Sequence, residues 1–283
     1  MPPALVTQTA HGARRFAATP GPQPVPERPA AGARPPRLAL VLGSGGVRSI
    51  AALGMFDVLQ QRALAPDLIV GCSAGALFGA LMAAGHPAAQ AVQIATRLWS
   101  PDVTRQRRWR AIGQMLFPRL GRFSADFSLR DDSRVMDRLH KAFGDMHFED
   151  LRVTLRVAAT DAATGERVIV SRGPLVPALR ASIALPFMFA PVHLDGRRLV
   201  DGFVSDPLPV EAAADARVVV ALGLAAPMPS RVDGPSRMLA QVTSALTNNL
   251  VQARLAAARA RGTRLLQVQP RLPRRVGLFD TAA

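Results

Sequence analysis

Ser73 is the centre of Gly71-Cys72-Ser73-Ala74-Gly75, a Gly-x-Ser-x-Gly quintet. An apolar run, Leu68 to Val70, leads into it, and a small-residue helical pattern, Ala74 to Ala84, leads out. Strand, sharp turn and helix are the layout of a nucleophile elbow. A serine at such an apex holds its hydroxyl out over the strand ends, and Gly71 and Gly75 let neighbouring backbone pass close. The start of the next helix favours developing negative charge. Cys72 is also a nucleophile by type, but the pattern puts Ser73 at the apex and leaves Cys72 to pack as a small hydrophobe. With 22 glycines in 283 residues, such a quintet also arises as a plain strand-to-helix turn. The rest of the chain must decide.

A second stretch with chemical potential is Gly43-Ser44-Gly45-Gly46-Val47-Arg48. It follows Leu38-Ala39-Leu40-Val41-Leu42, a wholly apolar strand of the kind buried in a parallel sheet. A helical stripe of Ile50, Leu53, Met55-Phe56 and Leu59 comes after it. Strand, glycine loop and helix suit a phosphate-binding turn, and Gly43-x-Gly45 starts like a dinucleotide fingerprint. Arg48 stands where the third glycine belongs, and no Gly-Lys-Ser/Thr follows, so a nucleoside-triphosphate loop is excluded. The alternative is an oxyanion hole, in which consecutive glycines expose backbone N–H groups at a helix start. That reading needs a nucleophile nearby, and Ser73 ends the very next strand.

The glycine loop, followed about 25 residues on by Gly-Cys-Ser-Ala-Gly-Ala, resembles the patatin-like phospholipase family. In that family a Gly-Gly-x-Arg/Lys loop and a Gly-x-Ser-x-Gly elbow are completed by a downstream Asp-Gly-Gly or Asp-Gly-Ala motif. Here Val200-Asp201-Gly202-Phe203 and Asp206-Pro207-Leu208-Pro209-Val210 stand in that place. Ala178 to Phe187 is similar to the family's Ala-Ser-x-Ala-x-Pro segment, on the wall of the substrate site. The resemblance implies a three-layer α/β/α patatin-like fold with a mainly parallel central sheet. It implies a Ser73–Asp201 dyad and an oxyanion hole from Gly45, Gly46 and Arg48. Gly43, Gly71, Gly75 and Gly202 support the motifs. No cofactor or metal is implied.

The implied reaction is attack of Ser73 on an ester carbonyl, with Asp201 taking the proton, and hydrolysis of the acyl-enzyme by water. The expected partner is a lipid or fatty-acyl ester, with peripheral contact to anionic membrane and no nucleic acid. Thioesterase or neutral-lipid esterase chemistry on the same dyad stays open, as does a weakly active lipid-binding protein. Phe203, where the family carries a small residue, is bulky enough to narrow the site or tilt Asp201. Arg48 is open to three roles: holding the loop, neutralising charge, or a structural salt bridge. A Ser-His-Asp triad in the order Ser, Asp, His needs a histidine after Asp201, and none occurs. His193, eight residues before Asp201, is the nearest in sequence.

The elements that must position these residues follow from pattern. Val153 to Thr160 and Arg167 to Ser171 read as strands joined at Ala163-Thr164-Gly165. Val192-His193-Leu194, Asp195-Gly196 and Arg197 to Val200 read as a hairpin, because Asp-Gly is a strong turn signal. Asp132-Ser133 is expected to cap a helix carrying Val135, Met136, Leu139 and Phe143. Arg217 to Leu222 and Leu265 to Val268 are further strands. Met238 to Ala260 is a long helix with Leu239, Val242, Leu246 and Leu250 on one face, and Arg254, Arg259 and Arg261 at a solvated end.

Composition sets the outer bounds. The net charge is +15, almost all of it arginine, with Lys141 the only lysine. The arginines are spread along the chain, which fits compositional bias better than electrostatic attraction to anionic membranes or nucleic acid. One cluster stands out: Arg105, Arg107, Arg108 and Arg110 around Trp109. The 100–150 region is expected to be a variable flap, either an interfacial segment meeting phosphate head groups or a loop closing the core. Residues 1–36, rich in proline, are expected to be a disordered tail, 37–270 the hydrolase domain and 271–283 a second tail. No apolar run approaches the roughly 18 residues of a membrane span, and no signal-peptide core is visible, so a cytoplasmic location is expected.

Overall fold

The computed structural model describes residues 35–98, 111 and 124–270. Residues 1–34 and 271–283 of the expected tails, and the arginine–tryptophan cluster of the expected flap, lie outside the described residues; Pro36, placed in the expected tail, accepts from Arg217 N at 2.8 Å. Among the described residues eight strands form one sheet: β1 (Leu38–Leu42), β2 (Leu68–Cys72), β3 (Thr154–Asp161), β4 (Arg167–Val170), β5 (Val192–Leu194), β6 (Arg197–Asp201), β7 (Val218–Leu222) and β8 (Leu265–Val268). Their order is β5-β6-β3-β2-β1-β7-β8, with β4 paired to β3 beside that path. The run from β3 through β2, β1 and β7 to β8 is parallel, and β4, β5 and β6 join antiparallel.

The apolar run of β1 explains its central place. A strand covered on both faces has no polar side to show, and Ala39 to Leu42 are all fully buried. On one face Leu40, Leu42, Ile69, Leu155 and Val157 pack against five helices: α1 (Ala51–Gln61), α2 (Ala74–Ala83), α3 (Ala88–Leu98), α4 (Ser133–Phe143) and α5 (Leu175–Ser182). On the other, Ala39, Val41, Leu68 and Val70 pack against the 3-10 turn Val210–Ala213 and the long α6 (Pro235–Ala260). The layers are therefore α/β/α, as the motif order implied. Every residue of α2 is buried, which is why its sequence is Ala, Gly, Leu, Phe and Met throughout.

The decisive topology lies on β3. Ala158 pairs with Cys72 of β2 on one edge and with Ile169 of β4 on the other. The next residue, Ala159, pairs with Asp201 of β6 and with Val168 of β4. Because β4 holds one edge across both positions, β2 and β6 must meet the other edge end to end. The chain leaves β2 at Ser73 where β6 ends at Asp201. Residues 128 apart are thereby placed side by side by consecutive pairings on one strand.

Three expectations are corrected. Leu239, Val242 and Leu246 of α6 are exposed by half or more, so they are not the helix's core face. The buried stripe is Ser244, Leu255 and Ala258, with Val251 packed against it. The first half of α6 is held by polar bonds instead: Ser244 Oγ donates to Pro227 O at 2.9 Å, and Asn248 exchanges bonds with the Ala226 backbone at 2.8 and 3.1 Å. Arg254 does not end in solvent but turns onto the buried Asp206, whereas Arg259 and Arg261 stay at the exposed helix end, Arg261 reaching Glu211 at 3.5 Å. Asp132 makes no side-chain cap, because its carboxylate pairs with the buried Arg180 at 2.6 Å, and Asp131 accepts the Ser133 N–H instead.

Gly75 shows how tightly the elbow is set into the sheet. A Cβ there would collide with Leu42 O and come within 2.7 Å of Gly43 O, both rigid backbone. Gly75→Ala is expected to destabilise the fold by about 3 kcal/mol, read as a lowered midpoint in urea unfolding with unchanged slope. An unchanged midpoint would show that the two loops are not packed as described.

Candidate active site

Ser73 has φ +56° and ψ −128°, a conformation that side chains other than glycine rarely adopt. Three bonds hold it there. Its N–H donates to Ser182 Oγ at 2.9 Å, and its carbonyl accepts from Ala76 N at 2.9 Å and Leu77 N at 3.4 Å. Ser182 is itself fully buried and donates to Ala158 O at 2.7 Å. The elbow is thus tied through Ser182 to the β3 residue that pairs with Cys72. Cys72 is fully buried, as expected of a packing residue, and burial pushes its thiol well above the ordinary value.

Ser73 Oγ donates to Asp201 Oδ2 at 2.7 Å. The other carboxylate oxygen, Oδ1, accepts from Phe203 N at 2.9 Å. The Asp201 backbone is fixed as well: its N–H donates to Ala184 O at 3.0 Å, and its carbonyl accepts from Thr160 Oγ1 at 2.9 Å. Only 2% of Asp201 is exposed. Burial raises its pKa from 3.8 to about 7, against the opposing pull of the Phe203 N–H and the Ser73 hydroxyl. A carboxylate of that basicity is matched to proton transfer near neutral pH. Phe203, where a small residue was expected, contributes through its backbone N–H.

The glycine loop leaves β1 next to the elbow. Gly43 N donates to Leu222 O at 3.0 Å, Ser44 N to Pro207 O at 2.8 Å, and the fully buried Ser49 Oγ to Gly43 O at 3.2 Å. The chain then turns at Gly46, φ +60°, into the 3-10 turn Gly46–Ile50. Among the described residues no hydrogen bond is made by the N–H of Gly45 or Gly46, the orphan donors expected of a helix start. A Cβ on Gly45 would collide with Leu224 Cδ1. Arg48 holds the loop: Nε donates to Gly45 O at 3.4 Å and Nη1 to Ala225 O at 3.1 Å.

A buried ionic group backs the segment after Asp201. Asp206 is fully buried, bonded to Arg167 Nη1 at 2.8 Å, with Arg254 Nε 3.8 Å away; Arg167 also reaches Glu211 at 3.2 Å. Burial raises the Asp206 pKa, and the two arginines oppose that rise. Neither this network nor the bond from Ser73 N to Ser182 is legible in the sequence motifs. The only hint of either was a polar residue inside an apolar segment. His193 does not approach the pair; it is exposed and lies 3.4 Å from Asp126. Among the described residues no three His, Cys, Asp or Glu side chains gather as a metal site, and no helix is long and apolar enough to cross a membrane.

A buried serine–carboxylate pair at the strand ends of an α/β/α sheet, beside a glycine loop with unused N–H groups, is the architecture of an ester hydrolase class. The chain belongs to the patatin-like phospholipase family, whose model matches residues 40–214. It is 34% identical to an uncharacterized NTE family protein of Mycobacterium tuberculosis, over 78% of this chain and 58% of that relative. It is 30% identical to neuropathy target esterase sws of Drosophila melanogaster, over 62% of this chain and 12% of that protein. The chain therefore spans less than two thirds of either relative. Among solved structures, VipD from Legionella pneumophila aligns with a TM-score of 0.43 and 17% identity, covering 80% of this chain and 55% of that one.

The Asp201 shift carries a stability consequence. A carboxyl that holds its proton more tightly when folded than at its ordinary value of 3.8 stabilises the fold below that pH. The contribution is lost as pH rises through about 7. Asp201→Asn is therefore expected to be more stable than wild type above about pH 7, by up to roughly 4 kcal/mol. The gap should close toward pH 4 in parallel thermal melts; a gap independent of pH would contradict the burial of the charge.

Proposed function

We propose that the protein is a serine acyl hydrolase of lipid esters. The reading is carried by the 2.7 Å bond from Ser73 Oγ to Asp201 Oδ2 at a strained strand-to-helix turn. In this mechanism Ser73 Oγ attacks the ester carbonyl while Asp201 takes the hydroxyl proton. The Gly45 and Gly46 N–H groups receive the developing oxyanion, with Arg48 bracing their loop. The leaving alcohol departs with the proton from Asp201, forming the acyl-enzyme. Water, deprotonated by Asp201, then releases the acid and restores Ser73.

Family membership supports the reaction class, and the names of the relatives point to esters as substrates. The substrate is a phospholipid or lysophospholipid, met by peripheral contact with a membrane surface. Ser182 is a positioning residue, because its hydroxyl takes up the Ser73 N–H and leaves oxyanion binding to the glycine loop.

Wild type, Ser73→Ala and Asp201→Asn are to be compared on p-nitrophenyl esters and phospholipid vesicles. Each substitution is expected to lower kcat by at least about a thousandfold, and a fluorophosphonate should label wild type but not Ser73→Ala. Full activity in Ser73→Ala, or inert wild type on every ester, would overturn the hydrolase reading. The wild-type rate should rise with pH through an apparent pKa of about 7, because Asp201 acts as a base only when deprotonated. Ser182→Ala should lower kcat about tenfold with KM nearly unchanged, and Ser182→Thr should recover part of the loss. Equal changes in kcat and KM would remove Ser182 from the mechanism.

A further inference from the structure

α6 overhangs the sheet it packs on. Its 26 residues span about 39 Å, whereas a five-residue strand such as β7 spans about 17 Å. Topology fixes the direction of the overhang. β7 ends at Leu222, beside Leu42 of β1, and β8 pairs parallel to β7. α6 must therefore start at the edge where β1, β2 and β7 end, the edge that carries the glycine loop and Ser73. The residues after β7 join that loop to the helix. Leu222 O accepts from Gly43 N, and a Cβ on Gly45 would collide with Leu224 Cδ1. Ala225 O accepts from Arg48 Nη1, the Ala226 backbone bonds Asn248, and Pro227 O accepts from Ser244 Oγ.

The overhanging half exposes an apolar stripe. Met238 is 60% exposed, Leu239 68%, Val242 50% and Leu246 65%. At about 100° per residue these four share one side of the helix. Ser244, Asn248 and Leu255, which meet the body of the protein, lie on the opposite side. The sequence from Met238 to Ala253 holds no charged residue, whereas the solvated face of a helix ordinarily carries charge. Just before it, Arg237 pairs with Asp233 at 2.7 Å. The loop leading into α6 also exposes Met228 and Val232.

We propose that this stripe inserts into the surface of a lipid bilayer and so brings the Ser73–Asp201 pair to its substrate. The proposal deepens the acyl hydrolase reading, from which it takes the lipid. Size favours a bilayer over a second copy of the chain. Half a dozen exposed apolar residues fall short of the roughly 20 residues a side that a stable protein interface buries. A helix lying at a bilayer surface needs only one such apolar face. Charge agrees, because entry of an uncharged face takes no ion out of water. Position agrees as well: the stripe lies at the catalytic edge, linked to the glycine loop through Leu224 to Pro227. The contact is apolar and owes little to the arginines spread over the chain.

The test uses the full chain as Ser73→Ala, so that lipid is not consumed, with phosphatidylcholine vesicles as the probe. The chain is expected to float with the vesicles. Val242→Asp with Leu246→Asp should weaken that partition by at least about tenfold. Raising salt from about 0.1 M to about 0.5 M should change it less than about twofold, because screening acts on charges. Leu239→Cys, labelled with an environment-sensitive dye while Cys72 stays buried, should shift its emission to the blue when vesicles are added. In the active chain the two aspartates should lower hydrolysis of vesicle phospholipid at least about tenfold and leave p-nitrophenyl acetate within about twofold. Partition unaffected by the aspartates, partition abolished by salt, or an unshifted label would overturn the proposal. So would equal losses on both substrates. A wild-type dimer that the aspartates break, with no flotation, would assign the stripe to a second copy instead. If wild type hydrolyses no ester, the hydrolase reading falls, and flotation with the label alone decides the stripe.

Discussion

One edge of β3 carries the site. Backbone pairing of Ala158 with Cys72 and of Ala159 with Asp201 puts the end of a parallel strand against the end of an antiparallel one. Register in a sheet is sharply specified where a face is buried, because a slip of one residue would turn every side chain to the wrong face. The relation between Ser73 and Asp201 therefore inherits the precision of the core. The remaining devices refine it: Ser182 bonds Ser73 N and Ala158 O at once, and Thr160, one residue beyond Ala159, bonds the Asp201 carbonyl.

Burial of Asp201 sets stability against reactivity. In water a carboxylate with a pKa near 3.8 attracts a serine proton too weakly to act as a base. Removing it from water raises its basicity, and the same desolvation makes the charged form costly to the fold. Two donors, the Phe203 N–H and the Ser73 hydroxyl, limit that cost without cancelling it. The neighbouring Asp206 shows the other solution. It is also buried, but Arg167 contacts it directly, and Arg254 lies close by. Two aspartates five residues apart thus divide between a carboxyl held without a cation and an anchor held with them.

Most of this architecture was legible in the sequence, for identifiable reasons. The buried strands β1, β2 and β7 are uninterrupted apolar runs. The Asp195-Gly196 turn takes positive φ at both residues, as that dipeptide favours. The elbow, the glycine loop and Asp201 lie where motif order implied, and Ser73 and Asp201 are in direct contact. What could not be read is long-range partnership among polar side chains. Nothing local distinguishes Asp131 from Asp132 as the acceptor at the start of α4, because the choice depends on Arg180, far away in sequence. The face of α6 was misread for a related reason. Its apolar residues recur at helical spacing on more than one stripe, and only the arriving sheet selects Leu255 and Ala258 over Leu239 and Leu246.

The end-to-end meeting of β2 and β6 has a consequence for how such a chain can change over time. Ser73 and Asp201 are both indexed to β3, and β4, Ser182 and Ala184 between them are fixed with the pair by their bonds to β3, Ser73 and Asp201. Among the described residues the connection from α3 to α4 makes no such bond, and it can change in length while the two strand ends stay in place. Change in that connection is thereby uncoupled from the geometry of the pair.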